Sequence, residues 1–442
     1  MLLEFKASNY KSFKDEFILS LTPAPKQKGL DYSVMEAKVG SKTYKGLCSS
    51  VIYGPNASGK TNIIGALDTF RSIVLRGHIR NNAEHNGPNA AAGTLELIPN
   101  ETLDEPLPVE FSITFIEQGV HVEYSFSVDI GTFLEDEYER KILSETLVIN
   151  NSLVFARNAE LEFGDFENIQ NFVVNAFEQN ADGAIALAKG NLSNQELFLV
   201  NGFKTMFSSR LVSLITDWID KKLMVVYRAE SIRLTQKFND FPKKAIFVDK
   251  LMNEAVNSFG ITSNELGYMI NNDNGDAKLY SLFRRGNDDK ARMISADLFE
   301  SYGTIRFINM FPLVDVALQN GGTLIVDEFD ASIHPMVLMS IINIFHNDEI
   351  NINHAQLMFN THNPIFLNSN IFRRDEIKFV ERDDETHLSS IYSLSDFGTT
   401  GKNGVRKNED YMKNYFVSRY GAIKDIDFAP VFESLLLGEK EG

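Results

Sequence analysis

Hydrophobic and polar positions follow two different periods in the first 150 residues. Residues 47–53, LCSSVIY, form a mostly apolar run of strand length, and apolar side chains then recur at helical spacing from Lys60 to Val74. A buried strand, a glycine-containing turn and an amphipathic helix are therefore predicted in direct succession. Upstream, residues 2–5 and 13–21 predict two short strands around a turn at 9–12.

Strict alternation replaces the helical period after a polar stretch at residues 80–107, which we predict to be a surface loop. Apolar residues occupy every second position at 109–115 and again at 120–128, on either side of Glu117-Gln118-Gly119. This pattern predicts a β-hairpin with one buried face, and residues 142–149 predict a further strand.

Helical spacing returns in the middle of the chain. Leu211, Leu214, Ile215, Trp218 and Ile219 mark one amphipathic helix, and residues 242–258 predict another. From residue 291 helices alternate with apolar strands at 323–326 and 356–360. We therefore predict three segments: an N-terminal lobe at 1–158, a helical insert at 159–262 and a C-terminal α/β lobe at 263–442.

Composition narrows the classes of protein that fit this pattern. The chain has 442 residues with a net charge of −17, a single cysteine and no apolar run as long as a membrane span. One cysteine excludes an internal disulfide framework, and the first nine residues contain Glu4 and Lys6 where a secretory peptide needs apolar residues. We expect a cytoplasmic protein that neither enters a membrane nor adheres non-specifically to nucleic acid.

A phosphate-binding loop is the strongest chemical signal. Residues 54–61 match the pattern GxxxxGK[ST] between the predicted strand and helix. Its glycines allow backbone N–H groups to surround phosphates at a helix N-terminus, the lysine contacts the outer phosphates, and the last hydroxyl binds Mg²⁺. The candidate nucleotide-binding residues here are Gly54, Pro55, Asn56, Ala57, Ser58, Gly59, Lys60 and Thr61.

Two carboxylates follow the apolar strand at 323–326. Asp327 stands at the strand end, where it can contact Mg²⁺, and Glu328 stands where it can polarise an attacking water. Two acids after a strand are common and usually solvated. Because a phosphate-binding loop is present in the same chain, we favour a catalytic role for Glu328.

Residues 327–335, DEFDASIHP, and residues 359–364, FNTHNP, carry a family resemblance. They resemble the ABC-type ATPases related to SMC and OLD proteins, and within these the ATPases of bacterial anti-phage and abortive-infection systems, such as the RloA/AbiL type and the ATPase of the PARIS system. The turn at 9–13 and residues 418–423 are similar to the same group. The resemblance implies an α/β P-loop head with a mixed sheet, an antiparallel β lobe and an inserted helical subdomain.

By this resemblance, Glu300 to Thr304 matches the signature loop, whose Ser301 and Gly303 would cap a γ-phosphate bound by the opposite subunit. Asp330 would belong to the D-loop that crosses the dimer interface. His362 would be the switch histidine, although a lone histidine is more often a core residue. His334 stands where transporter and SMC members often carry Asp, a difference that this defence-related group shares.

Several further positions leave alternatives open. Lys11 either reaches the nucleotide phosphates or is an exposed loop lysine, and no convincing Q-loop glutamine is present, since Gln118 lies in a predicted hairpin turn. The basic clusters Arg373-Arg374 and 402–407 are most simply solvated loops, with contact to nucleic acid or a partner as a minority interpretation.

The resemblance implies ATP and Mg²⁺ as cofactors and a homodimer or higher even-numbered homo-oligomer. Our leading hypothesis is the sensor and scaffold of an anti-phage system with a phage-derived trigger. The chain continues only about 80 residues past His362, which is short for a Toprim nuclease domain, so we expect a separate effector, Toprim-like or another nuclease. The alternatives are a DNA repair or recombination ATPase and an ATP-dependent structural clamp; whether nucleic acid binds stays open.

Overall fold

A six-stranded and a seven-stranded sheet contain most of the strands of this computed structural model. The structure describes residues 1–25, 27, 29–80, 95–103, 106–131, 138–172, 181–227, 246–247, 250–258, 265–270, 277–283, 292–399, 404–407, 409–424 and 427–438. The strands are β1 (Leu2–Ser8), β2 (Phe17–Ser20), β3 (Val34–Val39), β4 (Lys42–Leu47), β5 (Ser49–Tyr53), β6 (Val109–Glu117), β7 (Val120–Asp129), β8 (Lys141–Ile149), β9 (Ser152–Arg157), β10 (Leu161–Phe163), β11 (Leu223–Val226), β12 (Ile246–Phe247), β13 (Glu265–Ile270), β14 (Ala277–Phe283), β15 (Arg292–Ser295), β16 (Thr323–Val326), β17 (Gln356–Asn360), β18 (Ile377–Arg382) and β19 (Ser389–Ser393). The helices are α1 (Lys60–Arg76), α2 (Ala181–Gly190), α3 (Ser209–Lys221), α4 (Lys250–Ser258), α5 (Ala296–Phe299), α6 (Tyr302–Asn320), α7 (Pro335–Phe345), α8 (Tyr411–Phe416) and α9 (Ala429–Gly438), with short helical turns between them.

The six-stranded sheet has the order β11-β16-β17-β5-β18-β19 and is parallel except for β19. Strands β5, β16 and β17 are buried at every position, as expected for parallel strands that are covered on both faces. Because parallel strands end at one edge, the segments that follow β5, β16 and β17 meet there. This edge is where the candidate site lies.

The seven-stranded sheet has the order β10-β9-β8-β7-β6-β1-β2 and is antiparallel between every pair of neighbours. The predicted hairpin is confirmed: β6 and β7 are joined at Gln118 and Gly119, which both have positive φ, as a two-residue hairpin turn requires. Helix α1 packs on this sheet, with the ring of Phe70 stacked on Phe126 at 5.5 Å between centroids. One hydrophobic core thus joins α1 to both large sheets.

The fold class is confirmed as a mixed α/β head with a separate antiparallel sheet. The strands at 323–326 and 356–360 and the helix around Trp218 are where the sequence predicts them. The strand predicted at 13–21 is shorter, since β2 begins only at Phe17. No helix among the described residues is both long and apolar enough to cross a membrane.

The middle of the chain differs from the prediction. Helix α4 begins at Lys250, not at residue 242, because Ile246 and Phe247 pair with β13 as strand β12. Strands β12 to β15 form a small antiparallel sheet that the sequence analysis did not predict. Residues 242–245 and 248–249, and residues 81–94 and 104–105 of the predicted surface loop, lie outside the described residues.

The three-segment division remains a prediction, and the structure adds a fact that bears on it. Strand β11 lies inside the predicted helical insert, yet it pairs in parallel with β16 as part of the main sheet. Helix α3, just before it, contacts α1. The stretch that we predicted as an insert therefore supplies elements to the central core.

The basic pair Arg373-Arg374 is buried, which contradicts its interpretation as a solvated loop. The guanidinium of Arg373 pairs with Asp375 at 2.9 Å. That of Arg374 donates to the main-chain oxygens of Gly398 and Val405. Arg373 also donates to the main-chain oxygen of Gly29 at 3.0 Å, so both arginines link separate loops. Residues 402 and 403 of the second basic cluster lie outside the described residues.

Candidate functional site

Residues 54–59 form the loop between β5 and α1, and Lys60 and Thr61 are the first two residues of the helix. Gly59 precedes the helix with φ of 110°, a conformation that a residue with a side chain rarely adopts. A Cβ at Gly54 would lie 2.4 Å from the main-chain oxygen of Val380, so glycine lets β18 approach the loop. The helix N-terminus thereby presents free N–H groups at the edge of the sheet, which is the geometry that binds phosphate.

Lys60 is buried at the start of α1. Its ammonium donates to the main-chain oxygens of Gly54 at 2.8 Å and Pro55 at 2.9 Å. Burial lowers the pKa of Lys60 to about 8, against the opposing effects of Asp327, Glu328 and Asp330. Among the described residues the ammonium has only carbonyl oxygens as hydrogen-bond partners, so an anion that enters the site can pair with its charge.

Asp327 is buried where β16 ends, and its Oδ1 atom accepts two hydrogen bonds. Thr61 Oγ1 donates to it at 3.1 Å and Asn360 Nδ2 at 2.5 Å. Oδ1 of Asn360 accepts the N–H of Glu328, also at 2.5 Å. Asn360 therefore positions both acidic residues, a role that the sequence analysis missed. The sequence feature that could have indicated this role is that Asn360 is the polar last residue of β17, the otherwise mostly apolar strand next to β16.

A pocket of about 340 Å³ opens over the loop. Glu328 and His362 lie in its wall together with residues 56–61 of the loop, so the structure brings eight predicted site residues to one cavity. Burial, and then the charge of Lys60, lower the pKa of His362, which favours a neutral imidazole. The complete lining is Asn56, Ala57, Ser58, Gly59, Lys60, Thr61, Asn62, Glu328, Asn360, His362 and Arg382.

The pocket offers few oxygen ligands for a metal. No group of three His, Cys, Asp or Glu side chains that could hold a metal ion occurs among the described residues. Thr61 and Asp327 supply one hydroxyl and one carboxylate within hydrogen-bonding distance of each other. Such a pair suits Mg²⁺, which is bound by one or two protein oxygens together with phosphates and water. Within the part of the chain that the structure describes, the buried Oγ of Ser58 has no hydrogen-bond partner.

The signature residues lie outside the lining of this pocket. Ser301 caps α6 by accepting the N–H of Thr304 at 3.1 Å. A Cβ on Gly303 would lie 2.1 Å from the main-chain oxygen of Ser332, so the signature turn packs directly on the predicted D-loop. Asp330, on the same D-loop, does not line the pocket, although its charge acts on the pKa values of Lys60 and His362.

Lys11 does not line the pocket. Its ammonium pairs with Glu96 at 2.8 Å and donates to the hydroxyl of Tyr227 at 3.0 Å. Despite the penalty of burial, Tyr10, Glu96 and Tyr227 raise the pKa of Lys11. Lys11 is therefore not an exposed loop lysine, and its contact with a nucleotide remains a prediction. Gln118 lies in the hairpin turn, as predicted.

Further residues, which no sequence pattern indicated, support the loop and the segment at Glu328. Asn62 donates to Ser12 Oγ at 2.8 Å, and Ser389 donates to the main-chain oxygen of Ser58 at 2.6 Å. Arg306 donates to the main-chain oxygen of Glu328. These polar residues are separated along the chain and match no motif, so only the fold shows that they share a site.

Comparison with known proteins identifies the family. The model of the family described as "AAA domain, putative AbiEii toxin, Type IV TA system" matches residues 49–368, which include the loop, both acidic residues and His362. No curated protein sequence matches the chain. An SMC head domain from Thermotoga maritima is similar at 13% identity, over 89% of this chain and 98% of that one, with a TM-score of 0.34. Because this TM-score is low, we base no structural or functional argument on the similarity.

Proposed function

The chain belongs to the AAA-domain family described as putative AbiEii toxin, Type IV TA system, and we propose that it binds Mg-ATP and hydrolyses it. The observation that carries this proposal is that Lys60, Thr61 and Glu328 line one pocket, while the buried Asp327 accepts a hydrogen bond from Thr61 beside it. Loop N–H groups and a lysine face two acids there, as phosphoryl transfer to water requires.

Each residue has a distinct task in this proposal. Lys60 and the N-terminus of α1 bind the β- and γ-phosphates, and Thr61 with Asp327 hold Mg²⁺, which when bound neutralises charge on the phosphates. Glu328 orients the attacking water and accepts its proton. His362, neutral at pH 7, donates a hydrogen bond to the γ-phosphate.

We propose further that hydrolysis takes place in a homodimer or a higher even-numbered oligomer. Ser301 and Gly303 lie outside their own subunit's pocket, on a turn that a second copy can use to close the site. Apolar side chains beside this turn favour such a contact, since Leu298 is 84% and Tyr302 59% exposed.

For the biological role, we propose an ATPase of an anti-phage, abortive-infection system. The family's description names a putative AbiEii toxin and a type IV TA system, which supports a defence context. In this proposal the chain senses a phage-derived trigger and controls a separate effector protein, a Toprim-like or other nuclease. The cycle of ATP binding and hydrolysis would couple detection of the trigger to control of the effector.

Three variants test the ATPase. Lys60→Ala should abolish ATP binding, whereas Glu328→Gln should bind ATP, lose at least about a hundredfold in turnover and accumulate as a nucleotide-bound dimer. Glu349→Gln removes an exposed carboxylate and serves as the control. Calorimetry, phosphate release and light scattering measure these outcomes. Normal turnover by Glu328→Gln would disprove the assignment of the base.

A separate experiment tests the biological role. The chain should be purified from its native host and its bound proteins identified by mass spectrometry, with and without phage infection. We expect a nuclease to co-purify in a fixed stoichiometry. If no nuclease co-purifies under either condition, the proposed effector is wrong, and the ATPase assignment is unaffected.

A further inference from the structure

One arginine lines the pocket on the flank opposite the acids. Arg382 is the last residue of β18, and β18 lies on one side of β5 while β17 lies on the other. His362 and Glu328 follow β17 and β16, so the pocket has an acidic flank and a flank with Arg382. A ligand bound on the loop would therefore meet acidic side chains and His362 at one end and a guanidinium at the other.

The guanidinium of Arg382 is anchored through one of its nitrogens. Its Nε donates to the main-chain oxygen of His387 at 2.8 Å. Within the described part of the chain, its two terminal nitrogens form no hydrogen bond and no carboxylate lies within 4 Å of it. A half-buried guanidinium with a fixed Nε and free terminal N–H groups is arranged to bind an anion in its plane.

The backbone around Arg382 is anchored to the phosphate-binding loop. Arg382 pairs with Ser389 across the β18–β19 hairpin, and the hydroxyl of Ser389 donates to the main-chain oxygen of Ser58 at 2.6 Å. The N–H of Ser389 bonds to the oxygen of Ser12 at 2.8 Å. The hairpin thus holds Arg382 at a fixed position relative to the loop.

We propose that Arg382 binds the α-phosphate of the nucleotide, on the nucleoside side of the loop. This inference rests on the proposed function. The γ-phosphate belongs on the flank of Glu328 and His362, where water must attack, and Lys60 with the N-terminus of α1 binds the β- and γ-phosphates. The remaining phosphate then lies towards β18. Since ATP and ADP share this group, Arg382 contributes equally to the binding of both.

Calorimetry with ADP and ATP in the presence of Mg²⁺ tests this assignment, on the Glu328→Gln background so that ATP persists. Arg382→Ala should weaken the binding of ADP and ATP by the same factor, about tenfold, as loss of a bidentate charged contact implies. Arg382→Lys, which keeps the charge without the planar fork, should lose about threefold. Melting temperatures without nucleotide establish that each variant folds.

Thr386→Ala provides the matched control, because it removes the bond from Thr386 Oγ1 to Asp383 and weakens the same hairpin turn without touching the guanidinium. It should bind both nucleotides as the parent does. Affinities within twofold of the parent for Arg382→Ala, a loss confined to ATP, or an equal loss in Thr386→Ala would each overturn the inference. A parent protein that binds neither nucleotide would instead refute the proposed function.

Discussion

The guanidinium of Arg306 donates a hydrogen bond from Nη2 to the main-chain oxygen of Glu328. Arg306 is buried on α6, the helix that begins at the signature turn, and Glu328 has a φ of 49°. A glutamate in the left-handed region is strained by about 1 kcal/mol and persists only when its neighbours hold it. The signature helix therefore helps to fix the conformation of the proposed base in the same subunit.

Replacing Arg306 should damage turnover more than binding. In Arg306→Met the main chain at Glu328 loses its donor, so we expect kcat to fall at least about tenfold while ATP affinity stays within about threefold of the parent. Steady-state kinetics and calorimetry measure the two effects. Gln319→Ala, at the exposed end of the same helix, should change neither. An equal loss of affinity and turnover would contradict a positioning role.

Asn360 offers a test of the bridge that its side chain forms between Asp327 and the main chain of Glu328. Asn360→Asp replaces the amide donor to Asp327 by a second carboxylate and sets like charges against each other. We expect turnover to fall about a hundredfold, and higher Mg²⁺ to restore only part of it. Asn370→Asp adds the same charge on an exposed loop and should have no effect. Rates at varied Mg²⁺ decide between these outcomes.

The pKa of Lys60 predicts how nucleotide binding depends on pH. Burial holds this pKa at about 8, below the usual 10.5, so the free protein loses the charge as pH rises through 8. Nucleotide phosphates favour the charged form, and ATP affinity should therefore decrease between pH 8 and 10. Over the same window the free protein should become more stable, because the unfolded chain keeps its proton up to about pH 10.5. Lys60→Arg, which stays charged, should bind with a flatter pH profile if it binds at all.

Gly303 tests the packing of the signature turn on the D-loop. A Cβ at this position would lie 2.1 Å from the oxygen of Ser332, so Gly303→Ala must displace backbone. We expect a loss of about 1–3 kcal/mol in stability and a clear loss of turnover. Gly190→Ala, where no atom lies within 4 Å of the new Cβ, should be neutral or slightly stabilising. Equal melting temperatures for the two variants would show that the turn yields without cost.

Short sequence patterns correctly predicted those parts of the fold whose structure depends on residues close together in the chain. The loop at 54–61 needs glycine at defined positions, and the strand at 323–326 and the hairpin around Gln118 follow from short apolar periods. Strands β12 to β15 escaped prediction because their pattern is weak; β15, for example, is mostly exposed. In such strands neighbours, not the sequence period, decide the structure.

The supporting residues of the site depend on contacts between distant parts of the chain. Lys11 could not be assigned from sequence because its partner, Glu96, is 85 residues away. Asn360 is a polar residue at the end of an apolar strand, and Arg382 lies within the charged run at 381–385, so the local sequence alone assigns neither of them to the site. Their places beside the pocket follow only from the strand order, which puts β17 and β18 on the two sides of β5.

That strand order also affects how the nascent chain matures. Strand β5 is complete early in synthesis, yet both of its sheet neighbours, β17 and β18, belong to the last quarter of the protein. At ribosomal speeds the wait is on the order of tens of seconds. Throughout it, an apolar strand that is buried at every position in the finished sheet lacks its partners on both edges. Newly made protein should therefore need chaperones, and slower production at low temperature should increase the soluble yield.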